Sequence, residues 1–125
     1  MEFLSDPRLP KAVGPYSYGV KYGNLIVTSG QIAMDTETNE VVTDIRKATK
    51  MILDSLLIVV ESGGGSKNTI MRADIYLKNL KDFDAFNEVY SEFFSSHKPA
   101  RVTVQAGDLA EGANIEVAVM AYAGN

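Results

Sequence analysis

An amphipathic segment long enough for a helix, with a marked beginning and end, divides this chain into strand-like parts. Its apolar residues recur at helical spacing, at Ile45, Ala48, Ile52, Leu56 and Val59 or Val60. Asp44 is a favoured N-cap before the segment, and Gly63 to Gly65 are typical of a helix end after it. A second helix is predicted from the aromatic stripe at Phe83, Phe86, Tyr90 and Phe93, which we expect to lie on a sheet as core.

The remaining periodic segments predict β-strands. Residues 16–21 and 25–31 form a predicted hairpin around the turn residues 22–24, after a polar lead-in. Further strands are predicted at 69–77, 101–106 and 114–122, and a brief one at 40–42. The resulting order is β-β-(β)-α-β-α-β-β. With no repeat or linker in the sequence, we expect one α+β domain spanning residues 1–125.

Two of these strands are apolar at both odd and even positions, around Ile26 and from Ile115 to Tyr122. Both faces of the predicted sheet therefore need cover. Two helices can cover one face, so the other is expected to pack against a second copy of the chain. The sequence thus predicts a homo-oligomer.

Composition excludes several classes of function. There is no cysteine and only one histidine, His97, which excludes thiolate chemistry and the usual zinc sites. A net charge of −4 with scattered basic residues argues against a dedicated nucleic-acid binder. The first residues resemble neither a signal peptide nor a transit peptide, so a cytoplasmic, non-membrane protein is expected.

Arg101 and Glu116 are the main candidates for chemistry. Arg101 opens a polar row on a predicted strand, and a guanidinium fixed there can bind a carboxylate through two parallel hydrogen bonds. Glu116 interrupts an otherwise apolar strand, where a carboxylate needs a partner. If the last two strands pair antiparallel with Thr103 opposite Glu116, all three residues share one face. They then form either a small polar pocket or a plain structural ion pair.

Other polar or glycine-rich positions give weaker signals. Gly30 would allow a ligand to approach the backbone closely, and Ser29 offers a hydroxyl beside it. Gly63 to Gly65 lack the strand–loop–helix context of a phosphate loop. His97 is expected to be a solvated residue near the end of the second helix.

Taken in order, five motifs resemble the RidA (YjgF, L-PSP) family of reactive-intermediate deaminases over essentially the whole chain. They are Gly14-Pro15-Tyr16-Ser17, Ile26 through Gln31, Phe83 through Asn87 before Tyr90, Pro99-Ala100-Arg101, and Ile115-Glu116-Val117. The resemblance implies a chorismate-mutase-like (YjgF-type) mixed sheet with two helices on one face. It also implies a homotrimer with ligand pockets between subunits.

The implied activity is hydrolysis of 2-imino acids, such as 2-iminobutanoate and 2-iminopropanoate, to 2-keto acids and ammonia without metal or organic cofactor. Carried over by position, Arg101 would hold the substrate carboxylate and Glu116 the attacking water. The remaining implied substrate contacts are Tyr16, Ser29, Gly30, the backbone of Thr103, and Asn87 from the neighbouring subunit.

Two positions depart from the family pattern. Tyr18 stands where glutamine is common, and Thr103 where many members carry cysteine, so the substrate preference is left open. Two other functions also remain open at this point. One is a non-catalytic module that binds 2-keto acids and regulates a partner, and the other is an endoribonuclease or translation inhibitor.

Overall fold

The computed structural model describes residues 1–10, 12 and 14–124, which form one sheet and two helices. The strands are β1 (Glu2–Leu4), β2 (Gly19–Tyr22), β3 (Leu25–Thr28), β4 (Ile70–Leu77), β5 (Ala100–Gln105) and β6 (Ile115–Tyr122). The helices are α1 (Ile45–Ser62) and α2 (Phe83–Phe94), and short 3-10 turns cover Lys67–Thr69, Leu80–Asp82 and Ala110–Gly112. Both predicted helices are confirmed.

The sheet has the order β1-β2-β3-β6-β4-β5. Only β4 and β5 run parallel, and every other pair is antiparallel. Both helices pack on one face, so the predicted mixed α+β sheet is confirmed. The predicted strand at 40–42 is reduced to a single bridge between Met34 and Val41. The three-residue strand β1 was not predicted, because it is too short to show a period.

Helix α1 begins and ends as its sequence predicts. The Asp44 carboxylate accepts a hydrogen bond from the backbone N–H of Lys47, and the chain leaves the helix at Gly63. Its apolar face and the aromatic stripe of α2 bury the inner face of the sheet, where Leu56, Phe86 and Ile75 are almost fully enclosed. This core holds β4 and β6 rigidly under the helices.

The last two strands do not pair with each other, so the arrangement that would place Thr103 opposite Glu116 does not occur. Strand β5 pairs with β4, and β4 separates it from β6. The physical reason is that α2 is a crossover connection, which returns the chain parallel to β4 on its free side. The more apolar β6 takes the central position, where both of its edges are paired. Thr103 lies opposite Ile75, not opposite Glu116.

This register puts Arg101 and Glu116 on opposite faces of the sheet. Arg101 pairs with Ala73, which is buried under the helices. Glu116 pairs with Tyr76, which points to the other face and is exposed. Directly paired residues share a face. The condition under which Arg101, Thr103 and Glu116 would share one face is therefore not met, and the alternative of an ion pair between Arg101 and Glu116 within one chain is wrong.

The face of the sheet opposite the helices is uncovered in the single chain, and we call it the open face. It is largely apolar and also carries the Arg72–Asp74 ion pair. Its exposed members come from several strands, and they are Leu25, Tyr76, Val102, Val104, Met120 and Tyr122. Contiguous apolar surface of this kind typically marks an interaction site. No helix within the described ranges is long and apolar enough to cross a membrane.

Candidate functional site

A cavity of about 440 Å³ opens beside Glu116, and we call it the Glu116 cleft. Its walls come from Tyr16 and Tyr18, from the segment between Ser29 and Met34 that follows β3, and from Ala110 and Glu111. A bridge between Gln31 and Val117 holds that segment against β6, with N–H to carbonyl distances of 2.8 and 3.1 Å. The strand that carries Glu116 therefore also fixes the opposite wall.

Glycine at position 30 makes room for the Glu116 carboxylate. A Cβ placed on Gly30 would lie 2.3 Å from Glu116 Oε2, well inside van der Waals contact. The carboxylate thus packs directly against the backbone of Gly30, as close approach at a glycine allows. Half-buried Glu116 presents its charge at the floor of the cleft.

Hydrogen bonds to the backbone hold the hydroxyl-bearing wall in place. Ser29 Oγ donates to the Ser17 carbonyl at 2.6 Å, and the Ser29 N–H donates to the Tyr18 carbonyl at 2.9 Å. The Tyr18 hydroxyl donates to the carbonyl of Pro10. Burial raises the pKa of Tyr18, and the neighbouring Tyr16 acts in the same direction. Tyr18 therefore stays neutral and keeps its donor role.

Arg101 lies on the other side of the sheet, in a pocket formed by helix α2 that we call the Arg101 box. Its guanidinium carbon is 5.6 Å from the ring centre of Phe83, 5.4 Å from Phe86 and 4.9 Å from Tyr90. Cation–π contacts of this kind fix the orientation of the guanidinium. Among the described residues, no carboxylate lies within 4 Å of Arg101.

Asn87 belongs to this box within the same chain. Arg101 Nη1 donates to Asn87 Oδ1 at 2.8 Å. Asn87 thus belongs to the same chain as Arg101, because α2 and β5 place the two side chains together. That Asn87 reaches the substrate from a subunit next to the one that carries Glu116 stays a prediction. The amide is neutral, so it orients the guanidinium and leaves the positive charge uncompensated. An anionic ligand is the partner that such a charge favours.

Two hydroxyls near the Arg101 box are buried without a hydrogen-bond partner in the described part of the chain, those of Thr103 and Tyr90. The sequence predicted Tyr90 only as a core residue of the aromatic stripe. Helical spacing does not reveal whether its hydroxyl finds a hydrogen-bond partner. Tyr90 also lines a cavity of about 380 Å³ together with Asn87 and Arg101. His97, expected to be solvated, is half-buried with Nε2 2.7 Å from the Ile70 carbonyl oxygen.

One chain therefore carries two separate features, a carboxylate in a largely apolar cleft and an orientated guanidinium with no carboxylate beside it among the described residues. A cleft carboxylate can accept and return a proton, and a forked guanidinium can bind a carboxylate ligand. Within the ranges described, no group of three or more His, Cys, Asp or Glu residues is arranged to hold a metal.

Comparison with known proteins gives consistent matches. The family model described as Endoribonuclease L-PSP matches residues 7–123. A RutC family protein of Pyrococcus abyssi is 42% identical over 97% of this chain and 96% of its own length. The 2-iminobutanoate/2-iminopropanoate deaminase of Escherichia coli K12 is 36% identical over 94% of each chain.

Solved structures with the same fold also match this chain over nearly its full length. The crystal structure of Escherichia coli TdcF with bound serine superposes with a TM-score of 0.93 at 31% identity. The match covers 99% of this chain and 100% of that one. Sequence and structure thus agree over nearly the full length.

Proposed function

This chain belongs to the L-PSP endoribonuclease family, also known as RidA or YjgF, and from that membership we propose that it hydrolyses 2-imino acids to 2-keto acids and ammonia. Relatives at 36–39% identity bear the name 2-iminobutanoate/2-iminopropanoate deaminase. The observation that carries the proposal is the pair of incomplete parts, the Glu116 cleft and the Arg101 box. Each supplies one function that this hydrolysis needs.

The active assembly is a homotrimer in which the Arg101 box of one copy faces the Glu116 cleft of the next. The two parts lie on opposite faces of one sheet, so a single chain cannot join them. The open face is apolar and requires cover, which a second copy provides. A cyclic arrangement would close every cleft with a neighbouring arginine.

In this site the Arg101 fork binds the carboxylate of the imino acid, and Asn87 keeps the fork orientated. Glu116 accepts a proton from water as the water oxygen bonds to the imine carbon. That proton passes to the nitrogen, which gives a carbon that bears one hydroxyl and one amino group. Glu116 then transfers the hydroxyl proton to the nitrogen as the carbon–nitrogen bond breaks, which releases ammonia and leaves the carbonyl of the 2-keto acid. A positioned acid–base group contributes about 10²–10⁴-fold to such a reaction.

The other expected contacts have smaller roles. Ser29 and the backbone of Gly30 lie beside the carboxylate of Glu116 and contact the bound acid. Tyr16 forms an apolar wall. Thr103 stands on the same face of the same strand as Arg101, and its backbone contacts the bound acid.

The test is a coupled assay in which a dehydratase releases the imine and the appearance of keto acid is followed. Purified protein should accelerate that step, and Arg101→Ala should lower kcat/KM by about 100-fold, because the bidentate carboxylate contact is lost. Arg46→Ala is the matched control, since Arg46 is an exposed arginine on α1 that bonds Glu88. An Arg101→Ala protein as fast as its parent would refute the proposal.

A second candidate is a regulatory module that binds carboxylates without turnover. The observation that favours it is the solved TdcF relative, which is described with bound serine. It predicts binding of 2-keto acids by calorimetry with no acceleration of the coupled assay. RNA cleavage that survives Arg101→Ala, with no imine turnover, would instead support the activity in the family's name.

A further inference from the structure

We propose that the imino acids bound at Arg101 include dicarboxylic ones, and that Lys98 binds their second carboxylate. The inference rests on the proposed deaminase function and deepens it by naming a substrate class. The deaminase relatives are named for 2-iminobutanoate and 2-iminopropanoate, each of which has one carboxylate. Lys98 lies in the segment that joins α2 to β5, which the proposed mechanism does not use.

The first argument is the charge of the cavity beside Arg101. Arg101 and Lys98 line it, His97 adds a group that is cationic when protonated, and no Asp or Glu of the described chain belongs to its lining. Lys98 forms no salt bridge within the described ranges. The whole chain has 16 acidic and 12 basic side chains, so its composition does not favour a cavity with cations alone. A ligand with two negative charges would be attracted to both cations.

The second argument is that the same cavity also contains neutral donors. Tyr90, which lines it, is only 8% exposed, and its hydroxyl has no hydrogen-bond partner among the described residues. A buried donor without an acceptor is costly. Ser91 and Ser95 supply two further hydroxyls to the lining. The cavity is therefore rich in donors, and a dicarboxylate, which offers four acceptor oxygens, is the ligand that matches it.

Local structure holds Lys98 near Arg101, three residues further along the chain. His97 Nε2 lies 2.7 Å from the Ile70 carbonyl oxygen, which fixes the residue before Lys98 to the start of β4. Pro99 restricts Lys98 to extended backbone. The Lys98 side chain is exposed, and its ammonium stands on a flexible four-carbon stem. It can therefore adjust to diacids of four or five carbons while the other carboxylate stays on Arg101.

The charges of the Glu116 cleft favour the same orientation of the substrate. Glu116 and Glu111 both line that cleft, and no Lys or Arg of the described chain does. A second carboxylate placed there would lie near two like charges, which is unfavourable. Both carboxylates of a diacid are thus directed to the side of Arg101 and Lys98, with the imine carbon towards Glu116. The two cations belong to one chain, so their attraction does not depend on the space that a neighbouring copy leaves.

The experiment compares kcat/KM for imines generated from aspartate and from asparagine by amino-acid oxidases. These two imines have nearly the same size and differ by one negative charge. The parent protein should favour the aspartate-derived imine by about 5-fold, the upper end of the range for an exposed lysine–carboxylate pair, and Lys98→Ala should bring the ratio close to one. Lys81→Ala is the matched control, because Lys81 is also exposed but lies in the turn before α2, and its ratio should equal the parent's.

Two further measurements guard against an indirect effect of Lys98→Ala. Lys98→Glu should lower the ratio below that of Lys98→Ala, because it replaces attraction by repulsion. In the parent protein, salt at about 1 M shortens the Debye length to about 3 Å, so the ratio should fall towards one without any substitution.

A parental ratio of one or less, or the parental ratio retained in Lys98→Ala, would overturn this inference alone if the alanine-derived imine is still hydrolysed. An equal loss with both imines in Lys98→Ala, together with a smaller mass in ultracentrifugation, would also overturn it, because Lys98 would then pair with a neighbouring copy. Absence of turnover with every imine, the alanine-derived one included, would overturn the proposed function and this inference together.

Discussion

The carboxylate of Glu116 rests against the backbone of Gly30, so closely that a Cβ at position 30 would lie 2.9 Å from the carboxyl carbon. The contact joins the end of β3 to the start of β6 at the floor of the cleft. It means that glycine is required there for space. The backbone φ of Gly30 lies outside the left-handed region, so backbone strain is not the reason.

Gly30→Ala should therefore displace Glu116 and lower the imine-hydrolysing kcat/KM by about 100-fold, since a shift of about 1 Å in a catalytic group can cost that much. The fold should persist, because the carboxylate can move towards the cleft. Steady-state kinetics with circular dichroism would measure both effects. Gly107→Ala is the control, because a Cβ there meets nothing within 4 Å. Full activity in Gly30→Ala would contradict a role for the contact.

Mixing two inactive variants should restore activity, because Arg101 and Glu116 of one chain lie on opposite faces of the sheet. Arg101→Ala and Glu116→Gln, denatured together and refolded at equal concentrations, should regain about a quarter of the parental sites in a cyclic assembly. Each variant refolded alone is the control. If the mixture stays as inactive as its components, the two residues do not meet between copies.

Met120→Lys should dissociate the proposed homotrimer, because it places a charge on the open face beside Arg72, its partner in the sheet. Burying an unpaired ammonium against apolar surface is strongly unfavourable. Analytical ultracentrifugation should give a smaller species, and activity should fall with the assembly. Leu80→Lys makes the same chemical change at a residue that is 48% exposed in the turn before α2, outside the sheet. An unaltered mass for Met120→Lys would show that copies associate elsewhere.

Tyr90→Phe should stabilise the protein by about 1 kcal/mol at neutral pH, because it removes a buried hydroxyl that finds no partner in the described residues. Burial raises the pKa of Tyr90 above its usual 10.0, and the charge of Arg101 opposes this only in part. Because this phenol ionises at a lower pH in the unfolded chain than in the folded one, the free energy of unfolding falls as pH rises above 10. Tyr90→Phe removes the phenol and should make that fall less steep.

Urea unfolding at several pH values between 7 and 11 would measure both effects. Tyr22→Phe serves as the control because it removes a phenol that already faces solvent. Lower stability of Tyr90→Phe at neutral pH would mean that the hydroxyl is hydrogen-bonded in solution.

Local patterns predicted the elements of this fold well. The N-cap at Asp44, the end at Gly63 and the aromatic spacing from Phe83 were enough to define both helices, because capping and amphipathic period are encoded within a few residues. Strand β6 is apolar at both odd and even positions, which predicted that both faces of the sheet need cover. The two helices cover one face, and the other is open in the single chain. Strand β1 was not predicted, because a strand of three residues is too short to show a period.

The arrangement of the site was less accessible from the sequence. Arg101 and Glu116 stood out individually, but their relation depends on which strands pair, and pairing is decided by contacts far apart in the chain. A crossover through α2 moved β5 away from β6 and turned Arg101 to the helix side. The bond between Asn87 and Arg101 follows from the same crossover. The unpaired hydroxyl of Tyr90 depends on packing detail that spacing cannot convey.

The central position of β6 has a consequence for motion. Glu116 stands on a strand hydrogen-bonded along both edges, with β4 between it and Arg101. A hinge, a loop movement or a helix shift could bring the two side chains together only by pulling a paired strand out of the sheet. Their separation is therefore topological, and it persists in every thermally accessible conformation of the folded monomer.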